Sequence, residues 1–291
     1  MDFPSSGAVK LKTNLADYPV TLALKQGKVS SPLVQLDFQG PPVAHDGFKD
    51  MVRRNAYDAG ELAIITYLQA YAYDKDYVLL PTPISGRFQH HTIGYSIEHG
   101  ALKPKDIEGR KVGVRTYAQT TGLWARGILQ HEYGVDLNKV TWLTLDDAHL
   151  AEHVDPSNCQ RLPKGTKLAE LMFKGEIAAA ILGAELPDDP RVRSLIPDPH
   201  EAAKQWYARE RVIPINHMFA VRRELSKKRP DVVKEIFRLI VESRRAAPEK
   251  GLATIPTFGL EANRKTIGLA IEWSYEQDRK STRLNSSHGY I

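Results

Sequence analysis

The spacing of apolar residues switches along this chain between the strand period of two and the helix period of 3.6. Residues 9–13 alternate as Val-Lys-Leu-Lys-Thr and predict a strand. Residues 18–26 carry a helical spacing that Gly27 stops. Residues 33–38 alternate again and run into Gly40-Pro41-Pro42, which predicts a strand and then a turn. A short helix is expected over 48–54. From Ala59 to Ile65 the chain is apolar around Glu61, and a helical spacing continues to Ala72. Residues 77–80 predict a buried strand closed by Pro81 and Pro83, because proline cannot donate to a sheet ladder.

After Gly100 the pattern starts afresh. A polar turn over 105–111 leads into the short strand Val112-Gly113-Val114. Thr120 or Thr121 can cap a helix that runs through Trp124, Ile128 and Leu129 to Gly134. Strands are expected over 140–145 and 175–182, with a helix over 167–173 between them. Residues 187–199 are a proline-rich connection, and 213–221 predict a strand that returns to the first half. Two helices follow. In 230–245, Val233, Ile236, Phe237, Ile240 and Val241 share a face, and Pro230 sits at the start, where its missing N–H costs nothing. In 261–275, Ile267, Ala270, Ile271 and Ser274 form a stripe. No internal repeat is visible. Strands alternating with helices predict an α/β protein with mostly parallel sheets. The expected organisation is a first lobe from residues 1–97 and 213–277, a second lobe inserted at 98–212, and a non-native tail at 278–291.

Composition narrows the function. A chain of 291 residues exceeds what one core usually serves, in line with two lobes. Hydrophobic residues at 42% and charged residues at 26% exclude disorder as a whole-chain description. The net charge of +5 falls to +3 without the last fourteen residues, which hold Arg279, Lys280 and Arg283 against Asp278. No run of five basic residues occurs, so no nucleic-acid partner is expected. No stretch of 18 apolar residues occurs, so no membrane span is expected. The N-terminus lacks a basic region followed by an apolar run, which leads to the expectation of a cytoplasmic protein. The single cysteine, Cys159, excludes an internal disulfide and a cysteine-built zinc site, and its loop-like surroundings suggest an inert thiol. The segment 280–288 has no hydrophobic period and resembles a translated sequencing adapter; it is set aside, and the native C-terminus is expected to be missing. A homo-oligomer stays open.

Four stretches carry a resemblance. They are residues 61–69 (Glu-Leu-Ala-Ile-Ile-Thr-Tyr-Leu-Gln), 86–91 (Gly-Arg-Phe-Gln-His-His), 109–117 with Gln119-Thr120-Thr121 and Trp124-Ala125-Arg126-Gly127, and Ile215-Asn216-His217. Together, over most of residues 8–277, they resemble the 4,5-dihydroxyphthalate decarboxylase family. The third stretch is shared with transport-type binding proteins and carries the fold; the 87–91 cluster discriminates better. The resemblance implies a type II periplasmic-binding-protein-like fold, each lobe a mostly parallel sheet flanked by helices, with a ligand cleft between the lobes. It also implies a carboxy-lyase that turns 4,5-dihydroxyphthalate, a small aromatic dicarboxylate, into 3,4-dihydroxybenzoate without an organic cofactor.

That reaction needs a proton donor for the ring carbon, an acceptor at the ring hydroxyls, and a clamp on the carboxylates. Arg87 and Arg115 are clamp candidates, since a guanidinium matches a carboxylate in two hydrogen bonds and each follows an apolar run. Either can equally be a solvated surface arginine. His90, His91 and His217 are candidate general acids. His90 and His91, adjacent in an expected strand, would point to opposite faces, so one of them is structural. A hydrogen-bonded core histidine is the alternative for all three. Glu61, in an apolar run, must be paired; it either accepts a hydroxyl proton or balances an arginine. Thr116, Thr120 and Thr121 lie where a helix N-terminus would seat an anion, or the threonines simply cap the helix. Phe88 and Tyr117 can stack on a substrate ring, as can Trp124, which fits the core equally well. His90 or His91 with Glu61 and His217 would suit a divalent metal, though no close His spacing supports one. The rival readings are a solute-binding protein of an ABC transporter for an aromatic or other small organic anion, and a chorismate-derived lyase of menaquinone synthesis.

Overall fold

A computed structural model describes residues 3–4, 6–249 and 255–278 of the chain. The described residues fall into two compact units, one within 3–87 and 213–268 and one within 88–212 and 269–278. The expected tail from 279 onward lies outside the described residues.

In the first unit, β1 (Val9–Asn14), β2 (Val34–Phe38), β3 (Ala59–Ala63), β4 (Tyr77–Gly86) and β11 (Ile215–Arg222) form a sheet in the order β2-β1-β3-β11-β4. β1 is parallel to β2 and β3, while β11 is antiparallel to β3 and β4, so one strand opposes four. Helices α1 (Leu22–Lys25), α2 (Phe48–Arg54), α3 (Ile64–Ala72), α7 (Arg223–Lys228) and α8 (Pro230–Arg245) flank it. α8 buries Val232, Ile236, Leu239 and Ile240 in one cluster with Leu11, Phe219 and Val221. This stripe is rotated from the expected one: Val233, Phe237 and Val241 are only half-buried.

In the second unit, β5 (Ile93–Ser96), β6 (Lys111–Val114), β7 (Thr141–Thr144), β8 (Cys159–Arg161), β9 (Ala179–Ile181) and β10 (Val192–Ser194) form a sheet in the order β10-β5-β9-β6-β7-β8. Here only β5 runs against the rest. α4 (Thr120–Tyr133) buries Trp124, Ile128 and Leu129, and its C-terminus closes at Gly134 in the left-handed conformation, φ 64°. α5 (Leu168–Phe173) and α6 (Pro199–Glu210) complete the unit.

α9 (Leu260–Gln277) begins in the first unit, where Asn263 Nδ2 donates to Thr257 O and Gly259 O at 2.7 and 2.8 Å. Residues 269–278 belong to the second unit, whereas the sequence placed the whole helix in the first lobe. The reason is Trp273. It packs edge-on against Trp124 at 5.4 Å, and any side chain on Gly127 would overlap its ring. One turn later, Gln277 Oε1 accepts from Arg126 Nε (2.9 Å), and Gln277 Nε2 donates to Leu123 O (3.0 Å). Asp278 and Asp155 then bracket the buried His153 ring, each at 3.2 Å from one ring nitrogen.

Other expectations need correcting. β4 does not stop at Leu80 but runs through Pro81 and Pro83 to Gly86. It is an edge strand that pairs only with β11, and the pairing is irregular around Met218–Pro83, so the missing proline N–H groups interrupt little of the ladder. Residues 87–92 are loop and turn rather than strand, and β5 belongs to the second unit, which moves the boundary from 97 to 87. Cys159 lies on edge strand β8 rather than in a loop, and burial pushes its thiol up to about 12, consistent with an inert cysteine. The proline-rich connection contains β10 and leads into α6. Among the described residues no helix is long and apolar enough to cross a membrane.

Candidate active site

Glu61 sits in β3 between β1 and β11 and has no exposed side-chain surface. A carboxylate there is costly unless its lone pairs are used. Two hydrogen bonds use them: Ala16 N–H reaches Oε1 at 2.8 Å, and His217 Nδ1 lies 2.8 Å from Oε2. The strand register explains the pairing. His217 lies opposite Ala63 and Phe219 opposite Glu61, so Glu61 and His217 are diagonal neighbours on one face of the sheet. A carboxylate can only accept, so it fixes the imidazole with its proton on Nδ1 and leaves Nε2 as the second ring nitrogen. The His217 side chain is 18% exposed and packs edge-on to Phe48 at 5.2 Å, so the ring is held yet reachable. Burial, then the charge and hydrogen bond of Glu61, raise the Tyr18 hydroxyl well above the usual phenol range, so it keeps its proton and donates.

The backbone at this point is tightly built. At the end of β1, Asn14 Nδ2 donates to Ala44 O at 2.9 Å, and its Oδ1 is buried without a hydrogen-bond partner. Gly60, at φ 155°, lets the chain pass against the Asn14 backbone directly before Glu61; a Cβ there would collide with the Asn14 carbonyl. Sequence reasoning missed Asn14 and Tyr18. The only available signal was that both are polar-tipped residues near the end of the first predicted strand.

In the second unit the loop after β6 gathers Arg115, Thr116, Thr120 and Thr121. A cavity of about 260 Å³ at the carboxyl ends of β6, β7 and β9 is lined by Arg115, Gln119, Thr166 and Lys167, with Asp146 and Glu185 also on its wall. This is the sheet edge where open α/β proteins bind ligands. α4 begins at Thr120, and the cap position falls to Gln119, whose side chain makes no capping bond, so neither threonine caps the helix. The Thr116 and Thr120 hydroxyls are instead buried without a protein partner. With the unused N–H groups of the first helical turn they are donors suited to an anion.

Tyr117 turns away from this cavity. Its hydroxyl donates to Gln277 O at 3.0 Å, and its ring lies under the Arg126 guanidinium at 3.8 Å and edge-on to Trp142 at 6.3 Å. Those contacts take it out of the ring-stacking role expected of it. Arg126, not nominated from the sequence, is wholly buried there and donates from Nη2 to Tyr117 O at 2.7 Å.

Residues 87–92 assemble a different cluster. Phe88 packs edge-on against Trp206 and Tyr207, at 6.5 and 5.9 Å, rather than facing a ligand. His90 is buried against Trp206 at 5.7 Å, with Nδ1 lacking a partner. Burial, reinforced by His91, lowers its pKa to about 4, which favours the neutral imidazole at neutral pH. His91 stacks on His200 at 5.9 Å. Arg87 belongs to the first unit; its backbone N–H donates to Pro214 O at 3.1 Å, and burial lowers its guanidinium pKa. Among the described residues no group of three or more His, Cys, Asp or Glu side chains is arranged to hold a metal ion.

No protein-family model matches the chain. Over 193 residues it is 28% identical to the 4,5-dihydroxyphthalate decarboxylase of Comamonas testosteroni, a match covering 60% of this chain and 56% of that protein. A second match, to the 4,5-dihydroxyphthalate decarboxylase of Pseudomonas putida, is 27% identical over 168 residues and covers 53% of this chain and 65% of that protein. The chain thus spans less than two thirds of either curated relative. The alkanesulfonate-binding protein SsuA of Xanthomonas axonopodis pv. citri, bound to MOPS, is 14% identical and superposes over 93% of this chain and 80% of that one with a TM-score of 0.52. The chain therefore has the periplasmic-binding-protein fold and is similar in sequence to two 4,5-dihydroxyphthalate decarboxylases.

Proposed function

We propose that this protein is a carboxy-lyase that converts 4,5-dihydroxyphthalate, or a close aromatic acid, to 3,4-dihydroxybenzoate and carbon dioxide. The observation that carries the reading is the buried Glu61 carboxylate fixed on Nδ1 of a reachable His217. Ligand capture alone needs donors for an anion; a carboxylate that orients an imidazole serves proton transfer.

The chemistry follows from the substrate. The departing carboxylate is para to a ring hydroxyl, whose electron density reaches the carbon that bears it. That carbon takes a proton from protonated His217, the C–C bond breaks, carbon dioxide leaves, and the bonding pair restores the aromatic ring. One proton is consumed per turnover and solvent returns it to His217. Glu61 stabilises the imidazolium and sets its orientation, a contribution of about 10²–10⁴ in rate for a positioned acid. Arg115, with the Thr116 and Thr120 hydroxyls and the first turn of α4, supplies donors for a carboxylate that stays; Thr121 supports the same turn. Arg87 is a second clamp candidate. The reading invokes neither an organic cofactor nor a metal. It assigns a small aromatic dicarboxylate as substrate, neither nucleic acid nor membrane as partner, and the cytoplasm as location.

The fold shared with an alkanesulfonate-binding protein, together with the anion-suited start of α4, supports one competing reading, capture of an organic anion for transport. A turnover assay separates them. Purified protein incubated with 4,5-dihydroxyphthalate and no added cofactor should release carbon dioxide and accumulate 3,4-dihydroxybenzoate. Saturable binding without product would reject the lyase in favour of transport.

A further inference from the structure

The second torsion of a histidine side chain is broad. One hydrogen bond, from Nδ1 to Glu61 Oε2, therefore fixes a point on the His217 ring and leaves its plane room to tilt. The second restraint is Phe48, the first residue of α2, which is wholly buried and meets the imidazole edge-on at 5.2 Å. Phe48 follows directly on the connection from β2, which closes in a 3₁₀ turn at Ala44–Gly47. Asn14, at the end of β1, fastens that connection. Its Nδ2 donates to Ala44 O at 2.9 Å. Two glycines of the connection close on the same side chain: a Cβ on Gly40 would overlap Oδ1, and one on Gly47 would lie 2.9 Å from Nδ2. Asn14 is wholly buried, and its Oδ1 has no hydrogen-bond partner. The amide costs stability at its oxygen and returns one directed bond, the one that places Ala44.

We infer that Asn14 is a positioning residue for proton transfer at His217, acting through Phe48: its amide pins the Ala44–Gly47 turn, the turn places the Phe48 ring, and that ring sets the plane in which His217 presents Nε2. The role in catalysis rests on the decarboxylase reading of the Glu61–His217 pair; the mechanical chain from Asn14 to His217 does not. Asn14 touches no substrate and moves no proton. A residue that only fills space between Gly40 and Gly47 would affect stability alone. One that orients an acid changes kcat with little change in KM, because a small misplacement of a reacting group is costly in the transition state.

The test compares the full chain with Asn14→Ala, Phe48→Leu and the double variant. Each single substitution should lower kcat for 4,5-dihydroxyphthalate about tenfold or more, with KM changed less than about twofold. The double variant should lose no more than Phe48→Leu alone, because both changes act through one contact. Losses that multiply in the double variant would overturn the inference, and so would a lowered melting temperature as the only effect of Asn14→Ala. The same proteins labelled with ¹³C-histidine, with His217 assigned by its disappearance in His217→Gln, give a readout that needs no turnover. In the wild type the ring C–H signals of His217 should carry the ring-current displacement of Phe48. Phe48→Leu should abolish it, and Asn14→Ala should move the signals toward the Phe48→Leu positions; signals that Asn14→Ala leaves in place would refute the chain from Asn14 to His217. Gly47→Ala, which crowds Asn14 Nδ2 from the other side, replaces Asn14→Ala if that variant does not fold, with the same expected outcomes. If the wild type releases no carbon dioxide, the lyase reading fails, and the histidine signals still decide whether Asn14 sets the ring.

Discussion

Raising the pH from 6.5 to 9 should cost this protein stability through one buried histidine. His153 has a side chain only 1% exposed and lies between Asp155 and Asp278, each 3.2 Å from one ring nitrogen. Burial alone would lower its pKa, but hydrogen bonds to both carboxylates and their charges outweigh that and raise it from 6.5 to about 9. A folded-state pKa above the unfolded value means that folding takes up a proton in the window between them. The stabilisation is complete below about pH 6.5 and disappears as pH rises through about 9. A shift of about 2.5 units at 1.36 kcal/mol each gives roughly 3 kcal/mol, a sizeable part of an ordinary domain's stability. Urea unfolding of wild type and His153→Gln at half-unit steps from pH 6 to 9.5 measures it. Taken as the difference between the two proteins, the values remove other titrations. The difference should be roughly 3 kcal/mol at pH 6 and shrink toward zero by pH 9.5. Parallel curves across the window would refute the argument, because they would mean that His153 binds no extra proton in the folded state.

Two further substitutions probe the second unit. Arg115→Ala removes the guanidinium from the cavity at the end of β6 and should raise KM at least tenfold for a dicarboxylate while leaving the melting temperature within a few degrees; unchanged kinetics would remove Arg115 from substrate binding. Gly127→Ala places a methyl group against the Trp273 ring and should destabilise the protein by about 1–3 kcal/mol in the same urea assay, and a neutral result would contradict the close approach of α4 and α9.

The helices that sequence periodicity located best were those whose ends are marked chemically. Phe48–Arg54 and Pro230–Arg245 fall where expected, and α4 ends at its left-handed Gly134. β5, β8 and β10 were invisible, because three or four residues give no measurable alternation and their pairing partners, such as Ala180 for Gly94, are distant in the chain. α6 hid behind the prolines that precede it, since Pro199 in its first turn is a helix opener as readily as a loop marker. At the site, Glu61 stood out as a carboxylate in an apolar run and His217 as a histidine in a strand. Their hydrogen bond follows from the antiparallel register of β11 on β3, a tertiary fact with no local signature. The paired histidines at 90 and 91 are conspicuous in sequence, and the structure buries one against Trp206 and stacks the other on His200.

The Glu61–His217 pair also bears on how a binding-protein fold can acquire a reaction. Capturing an anion draws on donors that such a sheet edge already presents, including helix N-termini, hydroxyls and an arginine. A carboxylate with no exposed surface contributes nothing to that task and opposes it, since negative charge weakens the field that attracts an anion. Its burial is expensive, and replacing such a pair with apolar side chains is often neutral or stabilising. Here the chain spends a backbone N–H from Ala16 and an imidazole nitrogen on satisfying Glu61, while leaving Asn14 Oδ1 beside it without a partner. An arrangement that costs stability and repels the ligand is explained if the imidazole it orients must exchange a proton. This is why the proposed chemistry rests on the first unit's β3–β11 pair.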